Sequence, residues 1–193
     1  MQGYNFTDQV RRTLVQAREE AAELHHEYVG TEHMLLALLR QEDGLVADVM
    51  KSLSVDVETT RQVVIDGVKK GRGFATGPDL PYTSRGKKTL ELAMTQAREW
   101  GHSYVGAEHL LVGLVREQGG IGAQVLAGAG VTIDNVRAAT LLCLGEEHLA
   151  EPAAAESARA VRSVVVEIHR HDGTTVRREF SDSREAVAYL LRH

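Results

Sequence analysis

Cysteine is nearly absent from this chain of 193 residues, and the single one, Cys143, excludes an internal disulfide framework and a thiolate zinc cluster. It lies in Leu141-Leu142-Cys143-Leu144, an apolar helical pattern in which a buried, inert thiol is expected. No apolar run approaches the roughly 20 residues that cross a bilayer, so no membrane partner is expected. Positive charge is also short: 22 Lys and Arg face 27 Asp and Glu, a net charge of −5, and no global field attracts nucleic acid. The first residues, Met1-Gln2-Gly3-Tyr4-Asn5, lack a basic stretch leading into an apolar core. No signal peptide is read there, and a cytoplasmic setting is expected. Aromatic residues make up 5% of the chain and form no stacking pattern for single-stranded nucleic acid. The remainder, 43% hydrophobic and 25% charged, is ordinary for a globular protein.

What the chain does have is a repeat. Residues 26–33 read His-Glu-Tyr-Val-Gly-Thr-Glu-His, and residues 102–109 read His-Ser-Tyr-Val-Gly-Ala-Glu-His. Each is followed by an apolar run, Met34 to Leu39 and Leu110 to Val115, ending in Arg40 and Arg116. The two copies align without a gap from Phe6/Tyr82 to about Arg61/Arg137. A gapless repeat of this length signals a duplicated supersecondary unit. Two such units packed together give a pseudo-twofold body with paired surface sites, which suits a binding module better than an enzyme.

Each repeat, about 6–71 and 82–145, reads as four helices. In the first helix Val10, Leu14, Ala17, Ala21 and Leu24 recur at helical spacing and predict one core-facing stripe. Thr7 and its counterpart Thr83 stand where an N-cap hydroxyl belongs. Gly30 and Gly106 break the chain before the second helices, and Thr31 is placed to cap the first of these, whereas Ala107 cannot. The third helices open after Gly44 and Gly120. The fourth follow Val55-Asp56 and Val131-Thr132, with Val57, Val63, Val64 and Val68 as the apolar positions of the first copy. Gly and Pro between residues 71 and 81 mark the connecting loop.

After Gly145 the character changes. Residues 146–160, rich in Ala and Glu, read as a linker. Residues 161–193 read as a β-β-α appendage: strand-like Val164 to Ile168, an Asp172-Gly173 turn, a return strand from Val176 to Phe180, and a helix with Ala186, Val187, Leu190 and Leu191 on its apolar stripe. A piece this small is expected to dock on the helical body or to form a homodimer through its edge strand. Its arginines alternate with Glu167, Asp172, Glu179, Asp182 and Glu185, a solvated mixed-charge surface rather than a nucleic-acid site.

The doubled pattern of Phe/Tyr-Thr, Ala-rich helix, His-x-Tyr-Val-Gly-x-Glu-His and Leu-Leu-x-Leu-x-Arg resembles the Clp N-terminal repeat domain, in particular its ClpC branch of AAA+ unfoldases. The resemblance spans about 6–145 and implies a mostly α fold, eight helices in two pseudo-symmetric halves. It also implies partners: Clp protease components, adaptors or marked substrate proteins. The departure is the missing phosphate loop. Gly86-Lys87-Lys88-Thr89 lacks the upstream glycine spacing and a strand before it, and the resemblance places it in a helix, so the expectation is a stand-alone N-domain protein without ATPase modules, non-enzymatic and without a cofactor.

ClpC-type domains bind phosphoarginine, the degradation mark on substrates, at one site per half. Carried onto this chain, the resemblance implies Glu32 and Glu108 as the carboxylates, Thr7 and Thr83 as the hydroxyls, and Lys87 as a basic contact, with no catalytic residue. A carboxylate suits the N–H groups of a guanidinium, and hydroxyls, cations and helix N-termini suit its phosphate. The blander reading makes the threonines simple caps and the glutamates partners of the helix dipole. The resemblance also offers a cyclic-peptide antibiotic surface at Leu14, Tyr82, Lys87 and Glu91, on which the protein would act as a decoy. His26, His33, His102 and His109 recur but form no His-Glu-x-x-His pattern, so packing and loop hydrogen bonds are expected of them, and no metal.

Overall fold

The computed structural model describes residues 5–71, 80–145, 164–169 and 175–180, the last two segments as backbone. The chain divides into two units, Met1–Ala150 and Glu151–His193. In the first unit a short strand β1 (Asn5–Phe6) leads into α1 (Asp8–Glu23), α2 (Thr31–Leu39), α3 (Leu45–Ser52) and α4 (Val57–Gly67). The second copy repeats the order with α5 (Ser84–Glu99), β2 (Tyr104–Val105), α6 (Ala107–Glu117), α7 (Ile121–Gly128) and α8 (Ile133–Leu144). The mostly α, eight-helix architecture expected from the repeat is therefore present.

Helices α2 and α6 form the centre. Met34 through Leu39 are all buried, as are Leu110, Leu111, Val112, Leu114 and Val115. These apolar runs have no polar stripe because neighbours surround them on every side. Around them α1 packs on α2 and α5 on α6, while α3 meets α8 and α4 meets α7 across the two halves. Gly113 lets α5 approach α6: a Cβ there would lie 2.7 Å from the Thr89 carbonyl oxygen and 2.9 Å from the Ala93 nitrogen. The caps fall where the sequence puts them. Thr7, Thr83 and Thr132 accept the N–H groups of Val10, Gly86 and Asn135 at 3.3, 3.0 and 3.2 Å.

Four local expectations are corrected. Gly30, not Thr31, is the N-cap of α2; its N–H is taken by the His33 ring. Thr31 sits inside the helix, and its hydroxyl accepts the Gly122 N–H of α7 at 3.3 Å. Val63 is half exposed because α4 rests on the core with Val64 instead, and Leu14 is only partly buried. Cys143 is exposed rather than core, since α8 turns Leu141 and Val136 inward. Its thiol pKa is still pushed up, by partial burial and by the Asp48 carboxylate.

In the second unit β3 (Val164–His169) pairs antiparallel with β4 (Thr175–Phe180), from Val164 opposite Phe180 to His169 opposite Thr175. The Asp172-Gly173 turn and the closing helix lie outside the described residues.

Candidate functional site

Each repeat enters on an extended segment that docks on the other repeat. Strand β1 runs parallel to β2, with Asn5 beside Tyr104 and Phe6 beside Val105. In the mirror arrangement Tyr82 bridges Val29. The backbone bonds match: Thr7 N–H donates to the Val105 carbonyl at 3.0 Å, and Thr83 N–H donates to the Val29 carbonyl at 2.9 Å. This crossing decides the sites. Thr83 is carried to the loop before α2, beside Glu32, and Thr7 to the loop before α6. The carried-over residues therefore pair across the repeats: Thr83 of the second lines the same cleft as Glu32 of the first.

The first site is an open cleft of about 580 Å³ lined by His25, His26, Glu27, Tyr28, Glu32, Gly71 and Thr83. The Glu32 carboxylate folds back over the N-terminus of α2. A Cβ on Gly30 would overlap it, and one on Gly106 would overlap Glu108 in the same way. Gly30 has φ −98°, a value open to any residue, so the glycine is there for space rather than for conformation. Thr83 holds its oxygen toward the Gly86 N–H, which leaves its hydroxyl proton to donate elsewhere. Lys87 is exposed one turn further along α5 and does not line the cleft.

A histidine relay supports the cleft. Gly30 N–H donates to His33 Nδ1 at 2.9 Å, so the His33 proton sits on Nε2. That proton reaches His26 Nδ1 at 2.8 Å, and His26 Nε2–H donates to the Lys69 carbonyl at 2.8 Å. The second copy repeats this: Gly106 N–H meets His109 Nδ1 at 2.9 Å, and His109 Nε2 meets His102 Nδ1 at 2.8 Å. Burial, and then the neighbouring His26, lower the His33 pKa to about 4. His33 is therefore neutral at physiological pH, and the 3.6 Å approach of Glu32 to its Nδ1 is not an ion pair.

His26, Glu32 and His33 bring ligating atoms close together, as do His102, Glu108 and His109. In the first group, however, all four ring nitrogens already hold hydrogen bonds. A metal would have to displace the Gly30 N–H or break the His–His bond, so the geometry does not suit one.

A family model for the Clp repeat (R) N-terminal domain matches residues 5–118 and again 81–165. The chain belongs to the Clp repeat family. Two curated relatives are each 39% identical over 155 residues, 80% of this chain and 19% of theirs: a ClpA homolog, an ATP-binding subunit of the Clp protease, from Porphyra purpurea, and the negative regulator of genetic competence ClpC/MecB from Bacillus subtilis (strain 168). The chain thus spans about a fifth of the length of these relatives. Among solved structures, the Hsp104 N-terminal domain from Candida albicans superposes with a TM-score of 0.62 at 19% identity, over 74% of this chain and 93% of that one. The ClpD N-terminal domain from Arabidopsis thaliana gives 0.58 at 23% identity, over 73% and 95%. At these identities the two superpositions speak for the Clp repeat fold alone.

Within this Clp repeat body, sequence reasoning missed Tyr28, His25, Glu27 and Gly71 as cleft residues. Tyr28 had a signal, since a tyrosine recurs at Tyr104, four residues before a glutamate in both copies of the motif. Of the alternative surface, Tyr82 is half-buried, with the Arg18 guanidinium carbon 5.1 Å from its ring centroid. Leu14 packs partly on the core, and Lys87 and Glu91 are exposed on α5. Gly86-Lys87-Lys88-Thr89 is helical, inside α5, which bars it from wrapping a nucleotide phosphate.

Proposed function

We propose that this chain is a non-enzymatic binding protein of the Clp proteolytic system that captures segments of proteins marked by phosphoarginine. The observation that carries the reading is the composite cleft, in which the Glu32 carboxylate and the Thr83 hydroxyl at the N-terminus of α5 face one space. The guanidinium N–H groups of the ligand would donate to Glu32, and its phosphate would lie toward Thr83 and the first turn of α5. Tyr28 supplies a ring on which a planar guanidinium stacks. The cyclic-peptide decoy is the weaker reading, because Arg18 already covers the Tyr82 ring that such a ligand would use.

The test is calorimetric titration of the intact protein with phosphoarginine, with arginine as control. Selective binding that falls at least tenfold in a Glu32→Gln, Glu108→Gln double variant, with circular dichroism unchanged, is the expected result. Undiminished binding in that variant refutes the mechanism.

A further inference from the structure

Duplication predicts two equal sites, yet this chain builds them differently, and the difference traces to a few residues. Where the first repeat has Leu24, the second has Trp100. The Trp100 ring packs at 5.9 Å from His102 and 5.2 Å from His109, and these rings gather Tyr104. Tyr104 stacks on His102 at 5.1 Å with an interplanar angle of 12° and stands edge-on to His109 at 5.6 Å. Tyr28, its counterpart, is 54% exposed, against 37% for Tyr104, and has no ring partner among the described residues. One tyrosine is a free platform; the other has a face already occupied.

The carboxylates and helix termini differ in the same direction. The Glu108 side chain is 6% exposed and its Oε1 lies 3.0 Å from His109 Nδ1, whereas Glu32 is 15% exposed and stands 3.6 Å from its histidine. The helix facing Glu32 is α5, with no acidic residue in its first turn. The helix whose cap Thr7 is carried to the loop before Glu108 is α1, whose first turn begins with Asp8. Asp8 repels an anion at that N-terminus and holds Arg11 at 3.7 Å. Lys87, the counterpart of Arg11, carries no ion pair among the described residues.

We infer that a ligand combining a planar cationic head with an anionic group is taken up at the Glu32–Tyr28–Thr83 site in preference to the Glu108–Tyr104–Thr7 site, and that Trp100 and Asp8 set the preference. This rests on the phosphoarginine reading above and goes beyond it by assigning the two copies unequal roles. The second copy then contributes Thr83 and α5 to the working site and otherwise serves as scaffold.

The test is an amide ¹H–¹⁵N titration of the intact chain with phosphoarginine, with arginine and inorganic phosphate as controls. The amides of Tyr28, Gly30, Glu32 and Thr83 are expected to saturate at concentrations at least tenfold below those of Tyr104, Gly106, Glu108 and Thr7. Two sets that move together, or the second set moving first, overturn the inference while leaving the phosphoarginine reading intact. No movement in either set refutes that reading and this inference with it. In the same titration Asp8→Ser, at an exposed position, is expected to bring the second midpoint several-fold closer to the first; an unchanged midpoint removes Asp8 from the explanation.

Discussion

Acid should destabilise this protein through His33. The ring is fully buried and uses both nitrogens in its neutral form, accepting from Gly30 and donating to His26. Its pKa in the folded chain is lowered from 6.5 to about 4. Between those values the unfolded chain binds a proton that the folded chain refuses, so stability falls as pH falls. The contribution is fully present above pH 6.5, declines below it, and is lost by pH 4. A difference of this size corresponds to roughly 3 kcal/mol, a large part of the stability of a small domain. Urea unfolding at pH steps from 7.5 to 4 measures it, with His33→Asn as the comparison. Asn keeps an acceptor near the Gly30 N–H but does not titrate. The wild-type protein should lose about 2–3 kcal/mol more than the variant across that range. A difference between the two that stays constant with pH would refute the claim that a neutral, buried His33 sustains the fold.

Other outcomes follow from single side chains. Gly30→Ala should leave the fold within about 1 kcal/mol, as its backbone suits alanine, yet weaken phosphoarginine binding at least tenfold by displacing the Glu32 carboxylate; calorimetry and thermal melts separate the two effects. Thr83→Ala and Thr132→Ala each remove a helix cap and should each cost about 1 kcal/mol in urea unfolding, but only Thr83→Ala should reduce binding. Gly113→Ala drives a methyl group against the α5 backbone and should cost about 1–3 kcal/mol, whereas Gly128→Ala, which points into open space, should not destabilise.

The sequence alone determined much of what depends on near neighbours, though not the α2 start, where Gly30 rather than Thr31 is the cap. Helix starts were legible at Thr7, Thr83, Asp56 and Thr132 because a cap bonds within three residues of itself. The central helices were legible as unbroken apolar runs, and the duplication as a matching string of letters. The hairpin strands could be read from their β-branched residues. Burial of single positions was less legible. Val63 and Val64 are the same residue type on adjacent positions, and only the seating of α4 turns one inward.

The tertiary structure alone decided the site. That Thr83 meets Glu32, rather than the glutamate of its own repeat, follows from entry segments that cross between the halves, and no local spacing encodes a crossing. That Gly30 yields its space to a carboxylate, and that Tyr104 stacks on His102 while Tyr28 has no ring partner among the described residues, are likewise settled only once helices far apart in the chain press together. Periodicity records which face a helix buries. It carries no information about which distant side chain will lie against that face, because that choice depends on how all the helices pack at once.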